Sequence, residues 1–421
     1  MTYQQHHQLG LSIEGKHPLK GSVQSSGAKN AALPILAASI LLDGSYKISN
    51  IPPLTDVQTM IKMLKALRLR VEFRPPDTVQ IWNSGSVGHI APYDLVTAMR
   101  ASFFVAGPIL AKTGLAKVPL PGGCAIGSRP LNLHLKGFES LGATVTIQHG
   151  FVEMKARELI GSRIYLDFPS VGATENIMMA ACLAKGETRI ENAAQEPEIV
   201  DLGNMLKETG VPIEGLGTSI ISIQGVDSLQ GKDYRIIPDR VEIGTLMIAA
   251  AITDGDVWIE DVVPDHLEPL IRKMRASGVG MDIEENRIRI YKNGPLEAVD
   301  IDTLPFPGFP TDMQAQMMSL LTLANGTSVI KESIFENRFM HAHELVRMGA
   351  NIKMDHNQAI ITGVPSLSAA KVKITDLRAG AALILAGLAA DGVTEVYGLQ
   401  HLNRGYHELP KKLRELGARI S

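Results

Sequence analysis

Cysteine is nearly absent. The 421 residues contain 2, Cys124 and Cys182, and neither lies in a Cys-x-x-Cys or His-rich spacing. That excludes a disulfide framework and the common structural zinc sites, and it fits a reducing cytoplasm. Aromatic residues are scarce, at 5%. Charge of one sign is lacking as well, since 41 Lys and Arg against 44 Asp and Glu leave a formal charge of -3. This excludes the overall basic footprint of a nucleic-acid binder, so any anion chemistry must come from local arrangement of cations. No apolar run approaches the roughly 20 residues that span a bilayer. The opening MTYQQHHQLGLSIEG also lacks the charged-then-apolar order of a secretory signal. The 12 histidines show no metal spacing.

What is present is a repeat. Its unit is an Ala/Met/Leu-rich helix, a turn with Gly, a short strand, an Asn- or Asp-marked loop, an amphipathic helix, and a closing strand. ENIMMAACLAKGETRIENAAQEPEIVDLGNMLKETGVPIEG is one copy and IGTLMIAAAITDGDVWIEDVVPDHLEPLIRKMRASGVGMDI another. The glycine that ends the second helix recurs at Gly142, Gly210, Gly278, Gly349 and Gly417, where a left-handed helix cap is expected. The first copy carries Arg68 there instead. Six copies cover nearly the whole chain.

Strands alternating with helices predict an α/β protein. The first helix of each copy, apolar on all sides, should be buried, and the second, with a polar face, should lie at the surface. Length favours two domains. Six units divide into three and three, giving domains at 27–237 and at 1–26 plus 238–421. The lone opening strand GLSIEG should complete the last domain.

Equivalent positions of a repeat gather at equivalent places, so the residues opening the buried helices should share one end of the molecule. They are Lys29 and Asn30, Arg100, Ser170 and Gly172, Asp239 and Arg240, Asp312, and Asp376 and Arg378. Helix N-termini carry unpaired N–H groups and partial positive charge, which suits phosphate or carboxylate. Loops after the next strands add Asn50, Gly122 to Arg129, Glu196, Arg338 and Arg404. A cation at four of the six starts points to a polyanionic ligand. Asp239 and Asp376 stay open between simple helix caps and ligand groups.

The loop PLPGGCAIGSRP sets Cys124 among glycines with Arg129 close behind, a setting that favours a reactive thiolate. Cys182, within MMAACLAKG, reads as a small core residue. His134 lies on a surface helix, where a structural role outweighs a catalytic one.

The stretches SSGAKNAALPILAASIL, PLPGGCAIGSRPLNLH, ENAAQEPEIVD, FPTDMQAQ, FENRFMH and LRAGAALILAG together resemble the UDP-N-acetylglucosamine 1-carboxyvinyltransferase family of enolpyruvyl transferases. The likeness runs in order from about Leu11 to the C-terminus. It implies a two-domain inside-out α/β barrel of six repeats, three per domain, with the active site in the cleft between the domains. It implies transfer of the enolpyruvyl group of phosphoenolpyruvate to the 3-hydroxyl of UDP-N-acetylglucosamine, at the entry to peptidoglycan synthesis. The cysteine usage sets the expectation of a cytoplasmic protein, and the lack of an obvious exposed apolar stripe that of a monomer. No cofactor, metal, membrane or nucleic-acid partner is implied.

Carried over residue by residue, Lys29 and Asn30 match the phosphoenolpyruvate motif, with Arg129 and Arg404 as further cationic contacts. Arg100 matches a sugar-nucleotide contact, and the run Arg129, Pro130, Leu131, Asn132 and Leu133 matches the uridine-holding stretch. Ser170, Val171 and Gly172 correspond to the diphosphate-facing helix start. Asp312 matches the carboxylate on the sugar hydroxyl and Ile334 an apolar backbone contact. Arg338 and Arg378 join the substrate-binding set. Cys124 matches the loop thiol that serves as general acid and forms a covalent adduct. One departure is Phe168-Pro169, which stands where some relatives have Lys before the diphosphate-binding Ser. The alternatives are the sister activity on shikimate 3-phosphate and a catalytically silent UDP-sugar-binding paralogue.

Overall fold

The computed structural model describes residues 10–122, 127 and 131–421. The chain divides into two compact units. One lies between Ser26 and Ile237, and the other joins the N-terminal segment through Ser25 to Pro238–Ser421.

Each unit is built around three helices with no polar side. In the first these are Lys29–Ala38, the 3-10 turn Arg100–Val105 continuing into Ala106–Thr113, and Val171–Ala181. In the second they are Arg240–Ile252, Gln314–Leu321 and Leu377–Ala389. Ala, Leu and Met favour helix, and each Leu or Ile buried there contributes roughly 2 kcal/mol. Within a unit the three helices pack on one another, so the helices form the inner layer and the sheets the outer one. Cys182 closes the helix Val171–Ala181, is fully buried, and has its thiol pKa pushed up by burial. The amphipathic helices Thr55–Ala66, Pro197–Glu208 and Glu268–Ala276 bury one face only.

Among the described residues six sheets match six repeats. Five of them combine antiparallel strands with at least one that arrives parallel, and the sixth, of Leu115–Pro119, Phe151–Lys155 and Thr144–Gln148, is antiparallel throughout. Glu187–Glu191 pairs antiparallel with Ile220–Gln224 and parallel with Arg163–Tyr165. Thr327–Lys331 does the same with Gln358–Thr362 and Ile301–Asp302. The chain also closes each unit on itself. Leu229–Gln230 and Tyr234–Arg235 return to Leu42–Ser49, and Lys20–Gln24 lies parallel to Asp256–Glu260. The opening strand Gly10–Glu14 pairs with Val393–Tyr397 and Arg419–Ile420, completing the last repeat's sheet.

Turn chemistry explains the recurring residues. The five capping glycines have φ between 85° and 107°, and Arg68 adopts the same left-handed turn at φ 75°. The turn is therefore kept despite the missing glycine, at a steric cost that falls on Arg68. The loop markers Asn50, Asn192 and Asp261 also sit at positive φ, at 63°, 56° and 59°. Asn and Asp tolerate that region better than other residues with a side chain.

Candidate active site

In the first unit Lys29 opens its helix as a buried cation. Its Nζ lies 2.7 Å from Asp56 Oδ2, with only 11% and 5% of the two side chains exposed. Asp56 comes from the first turn of Thr55–Ala66, so a surface helix supplies the counter-charge to a buried one. A backbone approach makes this possible. A Cβ on Gly27 would lie 1.6 Å from the Asn50 carbonyl oxygen, so only glycine fits. Asn50 Nδ2 donates to the Ile236 carbonyl at 3.0 Å, and Ala28 N–H donates to Ile237 at 2.8 Å. Asn30, partly buried, follows Lys29 in the same turn.

Arg100 starts its 3-10 turn and donates from Nη1 to the Gly122 carbonyl at 3.3 Å. Behind it His134 is held neutral. Burial, reinforced by the nearby Arg100 charge, pushes its pKa down to about 3. The hydrogen bonds fix the tautomer as well. Asn176 Oδ1 accepts from Gly107 N–H at 2.8 Å, so its Nδ2 is the donor, reaching Phe103 O at 2.9 Å and His134 Nδ1 at 3.2 Å. Nδ1 therefore accepts, and the ring proton sits on Nε2. The ring of Phe103 meets His134 edge-on at 5.3 Å. These contacts hold the His134 ring in place.

Ser170 caps the helix Val171–Ala181, its Oγ accepting from Ala173 N–H at 3.3 Å. Val171 and Gly172 form the first turn, and a Cβ on Gly172 would lie 3.3 Å from the His134 ring. Leu131, Asn132 and Leu133 begin the helix Asn132–Ser140. Leu133 also lines an open groove of about 410 Å³ with Lys136, Ile164 and Tyr165. Phe168 is half exposed. Cys124, Arg129 and Pro130 lie outside the described residues.

In the second unit the centre is Asp312, in the 3-10 turn Thr311–Met313. Arg338 Nη2 donates to its Oδ1 at 2.6 Å and Arg378 Nη2 to its Oδ2 at 2.7 Å. Both guanidinium side chains are 4% exposed and the carboxylate 27%. Burial opposes the charge on Arg378, but the Asp312 carboxylate more than offsets it, so the Arg378 pKa is held above its ordinary value. Gln316 Nε2 locks the turn from behind, donating to the Asp312 carbonyl at 2.9 Å and to Tyr406 Oη at 3.0 Å. Thr245 Oγ1 lies 3.0 Å from the same Tyr406 hydroxyl.

Asp239 and Asp376 are helix caps. Asp239 Oδ1 accepts from Val241 and Glu242 N–H at 2.8 and 3.3 Å, and Asp376 Oδ1 from Arg378 and Ala379 N–H at 2.9 and 3.1 Å. By capping its own helix Asp376 sets the backbone from which Arg378 reaches Asp312. Ile334 lies in the loop after Thr327–Lys331, its N–H bonded to Glu332 Oε1 at 2.9 Å. Arg404 ends the 3-10 turn Leu402–Arg404.

A chain of two units built on one repeat, with a cation or carboxylate at five of the six buried-helix starts, has relatives among known proteins. Residues 13–413 match the family described as EPSP synthase (3-phosphoshikimate 1-carboxyvinyltransferase). UDP-N-acetylglucosamine 1-carboxyvinyltransferase 2 of Carboxydothermus hydrogenoformans is 55% identical over 410 residues, 97% of this chain and 98% of that protein. The enzyme numbered 1 from Caldanaerobacter subterraneus subsp. tengcongensis is 56% identical over 409 residues, with the same coverage. The chain belongs to the UDP-N-acetylglucosamine 1-carboxyvinyltransferase family of enolpyruvyl transferases.

The fold agrees. The enolpyruvyl transferase NikO from Streptomyces tendae superposes with a TM-score of 0.89 at 25% identity, covering 98% of each chain. EPSP synthase from Acinetobacter baumannii superposes at 0.76 with 18% identity, covering 98% of this chain and all of that one, which shows the shared fold alone. As a member of this family the chain is an enzyme with the two-domain enolpyruvyl transferase fold. Among the described residues no helix is long and apolar enough to cross a membrane.

Reasoning from sequence missed Asp56, Glu332 and the Gln316–Tyr406–Thr245 set. Asp56 carried a usable signal, because an acid also stands in the first turn of the equivalent helix at Glu198. Glu332, next to the motif FENRFMH, carried none.

Proposed function

We propose that this enolpyruvyl transferase moves the enolpyruvyl group of phosphoenolpyruvate to the 3-hydroxyl of UDP-N-acetylglucosamine and releases phosphate. The observation that carries the reading is the Asp312 carboxylate, clamped by Arg338 and Arg378, in a chain similar over 97% of its length to enzymes named for that reaction. The reading places the enzyme at the entry to peptidoglycan precursor synthesis, and so in cell-wall growth, cell shape, the cell cycle and division. It works as a cytoplasmic monomer on small molecules, without a nucleic-acid or membrane partner.

The chemistry requires an acid and a hydroxyl-orienting group. The sugar oxygen bonds to the central carbon of phosphoenolpyruvate while the methylene carbon gains a proton, and loss of that proton with phosphate restores the enol ether. Cys124 supplies the proton and can bond to the same central carbon as an adduct. Asp312 accepts a hydrogen bond from the sugar hydroxyl. As the C–O bond forms, the hydroxyl proton passes to Asp312 and leaves with the departing phosphate. Lys29, Arg129 and Arg404 hold the phosphate and carboxylate, with Asn30 beside them. Arg100, Leu131, Asn132, Leu133 and the helix start at Ser170, Val171 and Gly172 receive the nucleotide, with Pro130 and the backbone of Ile334.

The test is phosphate release from phosphoenolpyruvate, assayed with UDP-N-acetylglucosamine and separately with shikimate 3-phosphate. Release only with the sugar nucleotide is expected. Release only with shikimate 3-phosphate would overturn the reading, and release with neither would point to a silent paralogue. Replacing Cys124 by Ala should lower kcat by about 100-fold or more while leaving sugar-nucleotide binding largely intact.

A further inference from the structure

Glu332 is 3% exposed, yet both carboxylate oxygens are engaged by groups next to proposed substrate contacts. Its Oε1 accepts from Thr303 Oγ1 at 2.8 Å, from Ile334 N–H at 2.9 Å and from Phe335 N–H at 3.2 Å. Its Oε2 accepts from Thr311 Oγ1 at 2.9 Å, and Thr311 immediately precedes Asp312. The Glu332 backbone is pinned too, its N–H donating to the Asn357 carbonyl at 2.9 Å and its carbonyl accepting from Asn357 Nδ2 at 3.2 Å. Thr303 Oγ1 extends the tie by accepting from Ser333 N–H at 3.0 Å.

A buried carboxylate that bridges two loops fixes them relative to each other, and charged acceptors make hydrogen bonds about twice as strong as neutral ones. One of these loops carries Asp312 and the other Ile334. Because the Ile334 N–H is consumed by Glu332, the carbonyl is the backbone group Ile334 has left for a ligand, and it can only accept.

We infer that Glu332 is the positioning residue that sets Asp312 and the Ile334 carbonyl for the acceptor sugar, through Thr311 on one side and the 333–335 backbone on the other. The inference rests on the proposed reaction. It does not involve Lys29, Arg129 or Arg404, the groups assigned to phosphoenolpyruvate. Losing Glu332 should therefore separate the two substrates kinetically.

The experiment compares Glu332→Ala, Glu332→Gln and Thr311→Val with the wild-type chain by phosphate release, varying each substrate in turn. Glu332→Ala should lower kcat by roughly 30-fold and raise KM for UDP-N-acetylglucosamine several-fold, while KM for phosphoenolpyruvate stays within about twofold. Glu332→Gln keeps one oxygen for the three donors on Oε1, and its amide can donate to Thr311 if that hydroxyl turns round. It should recover most of the loss. Thr311→Val keeps the shape, removes one tie, and should shift the same parameters in the same direction by less, which holds the test open if Glu332→Ala does not fold. Variants that lose thermal stability with kinetics within twofold of wild type would make Glu332 merely structural and overturn the inference, as would equal changes in both KM values. No phosphate release by the wild-type chain would remove the proposed reaction and this inference together, whereas wild-type release with unaltered variants would remove the inference alone.

Discussion

Single residues carry opposed electrostatic tasks. Asp312 must stay charged beside two buried arginines, while His134 must stay neutral beside Arg100. Replacing Asp312 by Asn keeps its shape and removes the charge. On the proposed mechanism kcat should fall by about 100-fold or more with little change in KM, and a rise in KM alone would leave Asp312 a binding group. His134 gives a stability prediction. Its folded pKa of about 3 lies below the unfolded value of 6.5, so the unfolded chain binds the extra proton between those limits. The stability is present above about pH 6.5 and is lost as pH falls toward 3, by roughly 2 kcal/mol at pH 5. Urea unfolding at pH 7.5 and pH 5 should show a smaller acid loss for His134→Gln than for the wild-type chain. Equal losses would contradict the neutral assignment.

At the scale of elements, the turns decide how the repeat is read. Gly142, Gly210, Gly278, Gly349 and Gly417 mark the left-handed caps, and their even spacing sets the period of the repeat. Arg68 breaks the pattern in sequence but not in backbone, at φ 75°. Relieving its steric cost by Arg68→Gly should stabilise the chain by about 1 kcal/mol, measured as a raised urea midpoint with unchanged slope. A fall in the midpoint would mean that the glycine's added freedom in the unfolded chain dominates. Removing a cap works the other way. Asp376→Ala leaves the Arg378 and Ala379 N–H groups without their side-chain acceptor and should destabilise by about 1 kcal/mol. Because that backbone carries Arg378, activity should fall as well. The opening residues of each buried helix were legible because local propensity and capping are short-range. The pairings were not, since Asp312 meets Arg338 and Arg378 only after the repeats fold back on one another, and Lys29 meets Asp56 across two helices. Periodicity locates a helix start, but it does not say which acid neutralises which cation.

At the scale of the whole molecule, two ring-closed units built on the same repeat divide the proposed work. Lys29, Arg100 and the Ser170 helix start belong to one unit, and Asp312, Arg338, Arg378 and Arg404 to the other. The repeat supplies three buried-helix starts to each, and each helix is fixed by its neighbours, as the Thr245–Tyr406–Gln316 contacts show. Cations thus sit at positions where a helix N-terminus already favours anions, which explains how a chain with a formal charge of -3 can suit polyanionic substrates. The most direct measurement of the central claim is an NMR spectrum of the product formed from UDP-N-acetylglucosamine and phosphoenolpyruvate. The account predicts an enolpyruvyl ether on the sugar 3-oxygen, with one phosphate released for each ether formed. Unmodified UDP-N-acetylglucosamine, or an enolpyruvyl group on any other oxygen, would contradict it.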